Sequence, residues 1–195
     1  MKKVSILKNT NEELASWGKT IEEFQLPRWN LLPDIKLYMD QVLTLIEKYL
    51  SPLIVQPNQK IITAAMINNY VKLGLIPAPI KKKYNRKHLA FLIAITILKQ
   101  VFTIQEIKDG ILFQASVSGI NASFNLFCDE QEQALKVVAR QATGEKSIAI
   151  FDQPISADFI ALKTATLAFA SQLLAKKAIS LGKDQLLTHP KEELE

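Results

Sequence analysis

A chain of 195 residues, 48% hydrophobic and 22% charged, has the composition of a folded globular protein and the length of one large domain or two small ones. A single cysteine, Cys128, excludes an internal disulfide framework and a cysteine-rich zinc site, and two histidines, His88 and His189, argue against a histidine metal centre. Six glycines disfavour a β-rich or Gly-loop nucleotide fold. Between the N-terminal lysines and Asn9 there are too few apolar residues for a secretory core. The longest apolar stretch, residues 89–98, is about half of a membrane span. A cytoplasmic protein with no membrane contact is the expectation.

The chain reads as helix after helix. Residues 9–25 open with an Asn/Thr cap and place Leu14, Trp17, Ile21 and Phe24 at helical spacing. After Pro27 and Pro33, residues 34–50 carry Ile35, Leu37, Val42, Leu45, Ile46 and Tyr49 on one stripe. Residues 63–73 form a short helix, capped by Thr63 and closed by Gly74 in the left-handed conformation. Pro77 and Pro79 stop it and force an extended piece through Ile80. Residues 81–84 then suit one arm of a small hairpin, or wing. Residues 86–100 are apolar enough for a central buried helix, and residues 103–113 begin with a Thr103/Glu106 capping box. Two longer amphipathic helices follow, 119–142 and 156–181, joined by a connector whose Ser147–Phe151 run suits a short strand. A polar tail closes the chain.

Charge is distributed unevenly. The 58 residues from Lys48 to Gln105 contain no Asp or Glu and carry Lys48, Lys60, Lys72, Lys81, Lys82, Lys83, Arg86, Lys87 and Lys99. That window is +9 while the rest of the chain is −4. A basic, acid-free segment on a neutral background suits a polyanionic partner; a solvated basic face is the alternative.

Within this window Ile62-Thr63, Tyr70-Val71-Lys72-Leu73-Gly74-Leu75-Ile76, Tyr84 with His88-Leu89, and Val101 to Ile107 follow one another in a characteristic order. They match a helix cap, a recognition-helix end of the form Y-x-x-x-G-L-I, and the openings of two further helices. Over about 50 residues the order resembles the MerR-type winged helix-turn-helix. Leu37 to Leu50 with Met66 to Lys72, Leu75 to Pro79 and Lys81 to Tyr84 resembles, over roughly residues 30–180, an uncharacterised bacterial family, domain of unknown function 1836, described as MerR-like. The chain departs from the MerR pattern in four places: Pro77 falls one residue early, Asn68 stands where an Arg is usual, the wing is short, and residues 51–61 replace a tight turn.

The resemblance implies a mainly α fold: a winged helix-turn-helix with a small β wing and a C-terminal helical dimerisation region. The expected division is an N-terminal helical extension at 1–30, the DNA-binding domain at 31–115, a dimerisation or regulatory region at 116–182 and a tail at 183–195. It also implies double-stranded DNA as partner. Thr63, Ala64, Asn68, Asn69 and Lys72 would face the major groove, where Asn can read adenine bidentately or else bond locally. Lys81, Lys82 and Lys83 would meet phosphate, as would Tyr84 unless it packs as core, and Arg86 and Lys87 open a helix where a cation opposes the dipole. His88 and Cys128 read as structural, and Asp129, Glu130 and Glu132 as a solvated acidic run. No catalytic constellation, metal site or cofactor site is evident.

The expected function is a sequence-specific transcriptional regulator, a repressor, acting as a homodimer. The alternative is an adaptor that binds an acidic protein through the same basic face. The 156–181 helix, with Phe159, Leu162, Ala165, Thr166, Phe169, Leu173 and Leu174 on a stripe, is the expected dimer element unless that stripe packs within the chain on 119–142.

Overall fold

In a computed structural model, residues 2–55, 60–145, 149 and 154–188 are described, with side chains from residue 10 to 183. The described helices are α1 (Lys2–Glu22), α2 (Met39–Leu50), α3 (Ala64–Lys72), α4 (Arg86–Leu98), α5 (Ile104–Thr143) and α6 (Ala157–Thr188), with 3-10 turns at Trp29–Leu31 and Ser51–Leu53. The mainly α expectation holds.

The segment RKHLAFLIAITIL becomes α4, and nine of its residues are buried, from His88 to Ile97 with only Phe91 half-exposed. A helix apolar on every side needs neighbours on every side. Contacts from α2, α5 and α6 supply them. The buried residues join one cluster running from Ile21 to Leu173.

Along the outer layer α5 packs against both α1 and α6. The α1–α5 packing is tight at Gly18, where a Cβ would stand 2.9 Å from the Ala139 carbonyl oxygen and 3.0 Å from Ala142 Cβ. Only glycine leaves room for this approach. On α6, Thr166, Phe169, Ala170 and Leu173 are buried, and Gln131 of α5 donates to the Thr166 carbonyl at 3.2 Å. Removing Phe169 alone from water is worth about 1.5–3 kcal/mol. The middle of the α6 stripe therefore packs on α5 within the chain, while Leu162, Ala165 and Leu174 are half-buried and Phe159 is exposed.

Other boundaries also change. The helix expected at 34–50 begins only at Met39, because Leu37 is buried and pairs with Tyr84 as extended backbone in both directions at 2.8 Å. Tyr38 N–H then donates to Gln41 Oε1 at 2.9 Å, which fixes the start of α2. The helices expected at 103–113 and 119–142 are present as the two halves of α5, 104–118 and 120–143, separated by the non-helical backbone of Gly119 (φ 77°, ψ 162°). The last helix runs on to Thr188, into the expected tail. The strand expected at 147–151 lies outside the described residues apart from Ala149.

Length and composition alone qualify α5 to cross a membrane, against the expectation from the longest apolar run. The break at Gly119 interrupts the helix, and α1 and α6 cover part of its surface.

No strand occurs among the described residues, only isolated antiparallel bridges at Leu37–Tyr84 and Ile80–Lys83. The expected β wing is thus a single turn. Pro77 and Pro79 lack donors, and Tyr84 already pairs with Leu37, so its arms have no room to lengthen.

Candidate functional site

Local chemistry sets up α3. Thr63 has extended backbone, and its hydroxyl accepts from Met66 N–H at 3.2 Å, satisfying one free donor of the first turn. At the other end Gly74 adopts φ 65°, and Leu75 N–H reaches the Tyr70 carbonyl at 2.9 Å. Ile67 and Tyr70 are buried and seat the helix. Asn68, Asn69 and Lys72 are exposed, three and four residues apart from Lys72, and so share one side. None of these three side chains has a hydrogen-bond or ionic partner among the described residues. Ala64 is half-buried at the first turn, beside the cap.

After Pro79 the chain reverses in two residues. Ile80 and Lys83 exchange backbone hydrogen bonds at 3.0 and 3.1 Å, and between them Lys81 (φ 50°) and Lys82 (φ 60°) both lie in the left-handed region. Positive φ at both central positions defines a type I′ turn, whose preferred residues are Asn and Gly. Both lysines are exposed and unpaired among the described residues. Lys83 is half-buried, with Nζ 5.1 Å from the Tyr38 ring centre.

The next residues are anchors. Tyr84 is 3% exposed, its ring edge-on to His88 at 5.4 Å, and burial pushes its hydroxyl pKa up. Of the two readings of Tyr84, this geometry is that of a core side chain beneath the turn. Asn85 caps α4 by accepting from His88 N–H at 3.3 Å, while Asn85 N–H donates to His88 Nδ1 at 3.1 Å. Arg86 Nε donates to the Leu32 carbonyl at 3.0 Å, and its guanidinium lies 3.5 Å from Asp34. Those contacts, with no polyanion required, explain a cation at the start of α4. Lys87 Nζ lies 5.7 Å from the Phe91 ring centre. Lys99 faces inward, bonded to the Ile61 carbonyl and Met66 Sδ, and burial lowers its pKa. It therefore leaves the basic surface.

The structure thus gathers Lys81, Lys82, Lys83, Arg86 and Lys87 around one turn braced by residues 32–38. Asn68, Asn69 and Lys72 form a second polar group on α3. Arg86 and Tyr84 are partly or wholly committed to the fold, whereas Lys72, Lys81 and Lys82 are exposed and have no side-chain partner among the described residues.

Two features escape sequence reading. Glu132, expected in a solvated run, is buried and accepts from Leu26 N–H at 2.8 Å and from Arg28 at 2.5 and 2.8 Å, while Arg28 also reaches Asp129 at 2.7 Å. Hydrogen bonding to Glu132 raises the Arg28 pKa. The partners lie more than 100 residues apart, so no local signal marks them. The second is a cavity beside Gln114, whose lining comes from three helices. Among the described residues no cluster of His, Cys, Asp and Glu is placed to hold a metal ion.

The model of the family described as "Domain of unknown function (DUF1836)" matches residues 27–133, more than half of the chain. This span runs from Pro27, beside the Arg28–Glu132 lock, through α2, the basic turn and α4 to the residue after Glu132. No curated protein and no solved structure matches the chain.

Proposed function

We propose that this chain, which belongs to the family of domain of unknown function DUF1836, binds double-stranded DNA sequence-specifically and represses transcription. The observation that carries this reading is the turn. Left-handed backbone costs a residue with a Cβ of order 1 kcal/mol or more, yet both positions hold exposed, unpaired lysines where Asn-Gly would relieve the strain. Cations kept at a cost to stability fit an electrostatic role. Asn68, Asn69 and Lys72 on capped α3 suit a recognition helix, with α2 as its support in a MerR-like arrangement. The Asn pair would read base edges while the lysines hold phosphate. Because a half-site reader needs a partner one helical turn away, the reading includes a homodimer.

Fluorescence anisotropy with the DNA upstream of the protein's own coding sequence, against a random duplex, tests the reading. Asn68→Ala and Asn69→Ala should erode the preference for the specific duplex more than affinity for the random one. An equal loss on both duplexes would contradict base readout. A monomer by light scattering at tens of micromolar would contradict the dimer.

A second reading has one observation in its favour: the wing is a bare turn rather than a hairpin. An adaptor needs only the charge of that turn and would capture one acidic protein without enriching DNA.

A further inference from the structure

A cavity of about 310 Å³ lies between α4, both halves of α5 and the first turns of α6. Phe91, Ala94, Phe124, Phe127 and Leu162 make most of its wall apolar. Its size falls at the lower end of small-molecule sites and is about twice that of a cavity that holds benzene. Gln114 also lines it, on the turn before the Gly119 break. This side chain is 8% exposed, and its Nε2 has no hydrogen-bond partner. A buried donor without an acceptor is a costly feature that a native structure has reason to keep. The nearby hydroxyl of Ser123 has no hydrogen to give a guest acceptor, because it donates to the Gln114 backbone carbonyl at 2.8 Å. No Lys, Arg or His lines the cavity. The one charged residue on the wall, Glu106, is exposed and held by Thr103 N–H and hydroxyl at 2.8 and 2.7 Å. A buried anion would have no counter-charge here.

We propose that this cavity binds a neutral, mainly hydrocarbon small molecule of bicyclic size, whose acceptor oxygen takes the amide hydrogen of Gln114. The site involves none of the basic residues, and its test requires no DNA.

Ligand-observed NMR on the full chain, with 2-acetylnaphthalene, 2-ethylnaphthalene and 2-naphthoate as probes, tests the proposal. The ketone should bind saturably at one per chain, about tenfold more tightly than the hydrocarbon and the carboxylate. Gln114→Met should remove the ketone's advantage while leaving the hydrocarbon bound. Ala165→Phe, or independently Ala94→Leu, should fill the space and abolish binding of both, with helical circular dichroism unchanged. The proposal is overturned if no neutral probe saturates, if the naphthoate binds best, or if the folded filling variants still bind. Loss of probe sites in step with self-association would also overturn it, since a second copy would then be the occupant.

Discussion

His88 lies beneath the basic turn, 4% exposed, with its ring against Tyr84. Burial is the main cause that holds its pKa below the ordinary 6.5; the Lys87 charge acts in the same direction, and the carbonyls of Pro77 and Ala78 oppose it. The unfolded chain takes up the proton near 6.5 while the folded chain resists it. Stability should therefore be level above pH 7 and fall as the pH drops through 6.5, by at most about 1.4 kcal/mol per pH unit. Urea midpoints between pH 7.5 and 5.5 measure this, and equal midpoints would contradict it. Replacing His88 should flatten the dependence. The Arg28 cluster supports a second prediction, because its two carboxylates differ in burial. Glu132 is 10% exposed and Asp129 58%. Glu132→Gln should cost about 2–3 kcal/mol by leaving a half-buried guanidinium without its bidentate partner. Asp129→Asn should cost under about 0.5 kcal/mol. Similar losses in denaturant unfolding would contradict the assignment of Glu132 as the lock. Cys128, next to Asp129 in the chain, is buried, donates weakly to the Pro27 carbonyl, and has its thiol pushed up to about 12 by burial, which suits packing rather than reactivity.

At the next scale, the type I′ turn sets stability against charge. Replacing Lys81 by Asn and Lys82 by Gly should raise unfolding stability by about 1 kcal/mol and weaken DNA binding. A variant that loses stability would contradict the backbone assignment; one that keeps full affinity would contradict the role of the turn. The elements legible in the sequence are those fixed by short-range chemistry. Thr63 caps α3, Gly74 closes it, and Thr103 with Glu106 opens α5, each through atoms a few residues apart. The buried character of α4 was equally plain, since its apolar run leaves no polar face. What stayed hidden depends on distant partners. Leu37 is extended because Tyr84 pairs with it, 47 positions later. Glu132 is buried because Arg28 reaches it, and the middle of the α6 stripe, from Thr166 to Leu173, faces inward because α5 receives it. In the candidate site the sequence marked every residue of the turn. It could not separate the free Lys81 and Lys82 from the anchored Arg86 and the buried Tyr84, a distinction set by Leu32, Asp34 and His88.

Across the whole molecule, charge is segregated along the chain. The acid-free stretch from Lys48 to Gln105 supplies α3, the turn and α4, while the acidic residues Asp129 and Glu132 serve the lock on α5. The proposed DNA binding by such a surface would act through released counterions, so its affinity would depend on salt. The most direct test is the salt dependence of affinity for the upstream duplex, for the intact chain and for a Lys81→Gln, Lys82→Gln variant. About five neutralised phosphates per protomer predict a log–log slope near −5, flattened by about two units in the variant. Weak, salt-independent binding, or a slope that the two substitutions leave unchanged, would contradict the account.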